Sequence, residues 1–139
     1  MKCNINIGVE YTILSQLPPP SVEDIKEHRD YFRSFPDEYY EFIQEYGEIE
    51  LRHSNGQYLR IWGPMGCMEM DEGYGIRGNI PYAFPVGDDG GGNVIFYNME
   101  KERYGLYHVG YVNLCIEDAI RISSNLKDLI SYSQGIEKF

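Results

Sequence analysis

Fifteen residues, Phe84 to Asn98 (FPVGDDGGGNVIFYN), constrain this chain more than any others. Phe84 and Val86 are apolar and lead into a turn. Gly87 to Asn93 holds four glycines, two aspartates and an asparagine, and Val94 to Tyr97 is a β-branched and aromatic run. That order predicts strand, tight acidic turn, strand. Glycine reaches backbone angles with φ > 0 that other residues adopt only at a cost, and it loses the most conformational entropy on folding. Four in seven positions therefore call for an unusual loop shape or a close backbone approach. Gly87, Asp88, Asp89, Gly90, Gly91, Gly92 and Asn93 are expected to form a structural motif. Valine at Gly91 is the substitution expected to expose that role by lowering the melting temperature.

Elsewhere the periodicity alternates between strand and helix. Cys3, Ile5, Ile7, Val9, Tyr11 and Ile13 occupy every second position, which predicts a half-buried strand. Pro18-Pro19-Pro20 is a stiff, extended linker. Ser21 with Asp24 three positions on marks the start of a helix over 22–33. Pro36 opens a second helix, with Tyr39, Phe42, Ile43 and Tyr46 on its core face and Gly47 at its end. Residues 49–52 and 57–62 read as strands joined at Asn55-Gly56, the strongest short hairpin signal. Residues 64–73 stay open between helix and irregular structure, because Gly63, Gly66 and Gly73 punctuate them. Residues 82–86 and 93–98 pair around the glycine loop, and 104–109 form another strand. Residues 117–122 are a helical turn or a short strand. A last helix spans 125–134, with Leu126, Leu129 and Ile130 on one face and Gly135 at its end. Strands bunched between helices predict an α+β fold: an antiparallel sheet core flanked by N-terminal and C-terminal helices.

Three segments also carry a family resemblance. FPVGDDGGGN, beginning at Phe84, resembles the central signature of the SUKH superfamily, which includes bacterial immunity proteins and fungal cell-wall-assembly regulators. Phe35 to Gly47 (FPDEYYEFIQEYG) resembles that family's proline-initiated helix, and Leu59 to Pro64 (LRIWGP) the strand and turn that follow. The order and spacing agree. The resemblance implies a SUKH-like single domain over 1–139, with 21–133 as the family-like core and 1–20 as an N-terminal strand or arm plus proline-rich linker. The alternating N-terminal segment has no counterpart in the family pattern, so it is read as an added edge strand or a dimerisation arm. A short helix is implied at 64–73. The implied function is non-catalytic binding: an immunity protein that neutralises a cognate toxin, often a nuclease, by occlusion. A regulator or scaffold acting through protein–protein contacts is the alternative.

Bulk properties narrow the partners. The length, 139 residues, is that of one domain with a core able to fold without staples. Its 22 acids against 12 bases give a net charge of −10, which argues against direct nucleic-acid binding and favours a basic partner. Cys3, Cys67 and Cys115 are scattered and odd in number, so neither a disulfide framework nor a zinc site is expected and a reducing compartment fits. No apolar run approaches the ~18 residues that span a membrane. Asn4, Asn6 and Glu10 interrupt any signal-peptide core. The expected location is the cytoplasm, with no membrane partner, as a monomer or a homodimer.

Candidate site residues follow from charge. Between Arg33 and Arg52 stand six acids and no base: Asp37, Glu38, Glu41, Glu45, Glu48 and Glu50. Asp37, Glu41 and Glu45 share the helix face opposite Tyr39, Phe42 and Tyr46. Like charges at i, i+4 cost roughly 0.2–0.5 kcal/mol, so an unneutralised stripe points to a basic partner. Glu69, Asp71 and Glu72 read as an exposed acidic corner that joins this partner-binding surface. Trp62 is either an interface anchor or a packed strand end. For the glycine loop a phosphate cradle is disfavoured, since no Gly-Lys-Ser/Thr follows and Asp88 and Asp89 repel anions. A calcium site on Asp88, Asp89 and Asn93 lacks the EF-hand spacing and closing glutamate. Among His28, His53 and His108, only His108 could be drawn with Cys115 as a nucleophilic pair, and no orienting group accompanies it. A metal-binding or enzymatic module using Asp88, Asp89 or His108 is therefore the less favoured alternative. No catalytic residue, metal or cofactor is expected.

Overall fold

Each strand pairs with the next in sequence in the computed structural model, which describes residues 3–139; Met1 and Lys2, the first positions of the expected domain, lie outside the described residues. The strands are β1 (Tyr11–Gln16), β2 (Ile49–His53), β3 (Tyr58–Ile61), β4 (Ala83–Asp88), β5 (Asn93–Asn98), β6 (Gly105–Gly110) and β7 (Ile120–Ser123). They form one seven-stranded antiparallel sheet in the order β1-β2-β3-β4-β5-β6-β7. Five α-helices accompany it: α1 (Val22–Phe32), α2 (Asp37–Tyr46), α3 (Pro64–Tyr74), α4 (Ile76–Asn79) and α5 (Leu126–Tyr132). This is the α+β architecture that the sequence predicts.

Local chemistry sets the helix starts. The Ser21 hydroxyl accepts the Asp24 N–H at 3.1 Å, and the Asn125 side chain accepts the Asp128 N–H at 2.8 Å. Each satisfies one of the donors that a helix start leaves unpaired. Pro36 sits at the cap position of α2, immediately before its first turn. The apolar stripe then packs as spaced: Tyr39, Phe42 and Ile43 are buried, with Tyr40 beside them.

Side-chain alternation in β2 and β3 separates two sheet faces. Ile49, Leu51, Leu59 and Ile61 are buried, whereas Glu50, Arg52, Tyr58 and Arg60 lie on the opposite, open face. The register places Phe84, Tyr97 and Leu106 in one row beneath the helices. Phe32 and Phe35 meet Phe84 at 5.6 and 5.8 Å between ring centroids, and Phe35 meets Tyr97 at 5.6 Å. Buried His28 completes this aromatic core against Phe32, Phe35, Tyr39 and Tyr40.

The structure corrects one local expectation and resolves two that the sequence left open. The strand expected over 3–13 begins only at Tyr11. Before it, the Gly8 N–H bonds the Ile130 carbonyl and Asn6 bonds the Ser131 hydroxyl, so Asn6 and Gly8 are tied to α5 instead of to the sheet. Ile5 and Tyr11 are buried in the expected phase, whereas Val9 and Ile13, expected on the same face, are exposed. From Tyr11 the segment does add an edge strand, pairing with β2. Residues 64–74 are helix throughout, in agreement with the implied family pattern; Gly66 packs against Trp62, and Gly75 supplies the left-handed cap at φ 62°. Residues 116–123 hold both alternatives, a 3₁₀ turn at Ile116–Asp118 and then β7.

Candidate functional site

The glycine loop closes the β4–β5 hairpin, and its aspartates bond inward. Asp88 accepts the Gly90 N–H at 2.9 Å with one oxygen and the Trp62 indole N–H at 2.8 Å with the other. Asp89 accepts the Gly91 and Asn93 N–H groups at 2.8 and 3.1 Å, and the Asn93 side-chain amide at 2.8 Å. Local Asx bonding of this kind holds a turn. Gly90 and Gly92 have φ of 73° and 92°. Gly87 is required for a different reason: a Cβ there would stand 2.0 Å from the Arg60 carbonyl oxygen across the β3–β4 pairing. Gly91 has neither constraint; a Cβ would meet its nearest neighbour, an Asp89 oxygen, at 3.6 Å. The expectation of a structural need at Gly91 is therefore corrected, and the stringent position is Gly87.

Beside this loop the open sheet face is concave. A hollow of about 610 Å³ is bounded by Arg52, Tyr58, Arg60, Asp88 and Gly90. It adjoins, through Arg60 and Asp88, a second of about 330 Å³ that reaches Trp62, Glu69 and Met70. Arg60 is held by Glu48 at 2.6 Å and approached by Glu50 at 3.7 Å. These groups offer hydrogen-bond donors and acceptors on a shallow, open surface.

The candidate acids fall into two sets. Glu48 binds Arg60 and the Gly63 N–H, and Glu50 approaches Arg60. Glu38 accepts the Tyr97 hydroxyl at 2.6 Å and the Leu126 and Lys127 N–H groups at 2.7 and 3.3 Å, capping α5 from α2. Asp71 is buried, binds Arg77 at 2.9 Å and accepts the Tyr31 hydroxyl at 2.8 Å. It is not part of an exposed corner, because an uncompensated buried carboxylate would be costly and Arg77 compensates it. Trp62 is only 4% exposed, with its N–H committed to Asp88, so it is a packed strand end and not a surface anchor. Asp37, Glu45, Glu69 and Glu72 are exposed and Glu41 is half-buried; none of these five forms an ion pair among the described residues. Glu41 and Glu45 lie near Cys3, whose thiol is raised first by burial and further by these two carboxylates.

The candidate reactive groups are separate. His108 is buried, with Nε2 bonded to the Lys138 carbonyl at 2.9 Å and its ring stacked on Phe139. Cys115 donates instead to Glu117 at 2.8 Å, and that bond raises its pKa. Burial pushes the Cys67 thiol up to about 12. All three thiols are thus held in the protonated, poorly nucleophilic form. His53 bonds Ser133 at 3.0 Å and lies 3.3 Å from Glu10. Among the described residues no three His, Cys, Asp or Glu side chains are grouped to hold a metal ion, and no helix is long and apolar enough to cross a membrane. Sequence reading missed the Glu38 cap and the Asp71–Arg77–Tyr31 cluster. Only the i, i+6 spacing of Asp71 and Arg77 was visible, and it fits no helical pairing rule.

No curated protein matches the sequence. A family model described as SMI1 / KNR4 family (SUKH-1) matches residues 19–132. The match starts inside the proline run, so β1 lies outside it, and it takes in the proline-initiated α2, the β3 turn and the glycine hairpin. The chain belongs to the SMI1/KNR4 family (SUKH-1).

Proposed function

We propose that this protein is a cytoplasmic immunity protein that binds a cognate toxin domain and occludes its basic cleft, as a nuclease would present, with no bond made or broken. Family membership supports an immunity-type or related protein-interaction role. The observation that carries the finer reading is the division of the acids. Glu38, Glu48 and Asp71 are spent on internal contacts, while Asp37, Glu41 and Glu45 on α2, with Glu69 and Glu72 on α3, have no cationic partner among the described residues. Such charges draw a basic surface over distance and speed encounter more than they tighten the final complex.

The test has two parts. The toxin domain encoded by the neighbouring reading frame is expressed with and without this protein, and protection from growth arrest is expected. Stopped-flow association is then measured across a salt series for the native protein and for Glu41→Lys with Glu45→Lys. The native rate should fall as salt shortens the Debye length to about 8 Å at physiological ionic strength. The double reversal should associate more slowly and with a shallower salt slope. Absence of protection defeats the immunity reading; identical salt slopes with protection intact defeat the role of the α2 face.

A further inference from the structure

A continuous apolar surface follows β1. The chain runs Leu17-Pro18-Pro19-Pro20 along the outside of the fold; Leu17 is 53% exposed, Val22 at the start of α1 82% and Met65 of α3 42%. Single exposed apolar residues are ordinary, whereas contiguous ones mark interaction sites. Leu17, Pro18 and Pro20 line a hollow of about 190 Å³ with Met65. Pro20 continues into another of about 250 Å³ with Val22, Ile25 and Gln44. The ridge is fixed in place: the Leu17 N–H donates to the Glu48 carbonyl at 2.9 Å, and the Gln16 side chain to the Tyr46 carbonyl at 2.8 Å. Three prolines with set φ leave it little freedom to lose on binding.

Charge indicates what covers the ridge. Among the described residues no base lines either hollow. Asp24 and Glu48 border the first, and Gln44 of the second lies on the face of α2 that carries Glu41 and Glu45. An apolar centre with a charged rim is the anatomy of a protein interface. A second copy of this chain would bring a net charge of −10 and the same acidic rim against itself.

We propose that Leu17, the prolines, Val22 and Met65 form the apolar centre of the docking surface, onto which a basic toxin domain places one apolar side chain per hollow and its basic residues against Asp24, Glu41 and Glu45. This rests on the immunity reading above. The test uses the toxin domain blocked in the protection assay. Leu17→Ser with Met65→Ser should raise the dissociation rate about tenfold or more, leaving the association rate and its salt slope in place, since buried anchors act on residence time. Leu17→Met should restore native dissociation, and Val112→Ser, at an exposed apolar residue outside the ridge, should have no effect. Circular dichroism and thermal midpoints check that each variant is folded; Val22→Ser serves as the second variant if the double does not fold. Unchanged dissociation in folded ridge variants, or an equal effect from Val112→Ser, overturns the inference while leaving immunity standing. A native dimer that the ridge variants dissociate would also overturn it, assigning the ridge to a second copy. If no toxin domain is blocked at all, the immunity reading falls first and this inference with it.

Discussion

Alanine at Gly87 should be among the most destabilising small changes available in this fold. Gly87 is paired with Ile61, and β3 and β4 share only two register pairs, Arg60 with Asp88 and Ile61 with Gly87. A Cβ at Gly87 would lie 2.0 Å from the Arg60 carbonyl oxygen and 3.1 Å from its carbon. Overpacking costs about 1–3 kcal/mol where side chains can shift. Here the obstruction is backbone, so the strands must separate, and each ladder bond lost adds about 1 kcal/mol. A total of ~3 kcal/mol is expected. With about 2.1 cal/mol/K of unfolding entropy per residue, a chain of 139 residues loses about 10 °C in Tm for that energy. Alanine at Gly91 meets only an Asp89 oxygen at 3.6 Å, in an ordinary backbone conformation. It should leave Tm unchanged or raise it slightly, since it also restricts the unfolded chain. Calorimetry on the two alanine variants decides the matter. Equal losses at Gly87 and Gly91 would refute the close-approach argument and return the whole loop to a requirement for glycine flexibility.

Two further outcomes follow from buried polar groups. Glu38→Ala strands the Tyr97 hydroxyl and frees the first N–H groups of α5, so denaturant titration should show a loss of about 2–3 kcal/mol, and Glu38→Gln a smaller one; a loss below 0.5 kcal/mol would mean that the cap contributes nothing. Burial lowers the His28 pKa from 6.5 to about 3, so the unfolded chain takes up a proton that the fold refuses: its stabilising contribution is complete above pH 6.5 and falls by up to about 1.4 kcal/mol per pH unit down to about pH 3. His28→Gln should flatten that part of the stability profile measured between pH 7 and pH 4, and parallel profiles for the two proteins would show that His28 does not titrate with unfolding.

How much was legible in the sequence depended on range. Asn55-Gly56, the Ser21 cap, the α2 stripe and the glycine hairpin are written in neighbouring residues, and each element formed where its local chemistry placed it. The N-terminal strand was placed too early because alternation does not report pairing; Asn6 and Gly8 are claimed by α5, whose Ile130 and Ser131 lie more than a hundred positions away. The candidate site was legible only as a count of acids. Asp71 looked like surface beside Glu69 and Glu72, and only the fold brings Tyr31 to it from α1. Trp62 stayed open between an anchor and a packed strand end, and the Asp88 carboxylate that meets its indole N–H decides for the second. Glu38 suited the start of its own helix by sequence, yet its carboxylate serves the start of another.

That separation bears on how such a surface can change. The acids that hold the fold are those with fixed partners: Asp88 and Asp89 in the loop, Asp71 on Arg77, Glu48 on Arg60, Glu38 on α5. Removing any of them leaves a donor or a cation uncompensated in a half-buried place, which costs more than a surface charge is worth. Among the described residues Asp37, Glu41 and Glu45 have no such partner, and Leu17, Val22 and Met65 keep 42% or more of their surface in water. Exposed charges contribute at most about 1 kcal/mol to folding. On the proposed reading a change of partner can therefore proceed through these six positions at little cost to stability, whereas Gly87 and the loop aspartates cannot follow. On the proposed reading, partner recognition and family likeness overlap along α2: Tyr39, Phe42 and Ile43 of that helix are buried in the core, while Asp37 and Glu45 on its other face are exposed, and the loop aspartates are committed to bonds that close the hairpin.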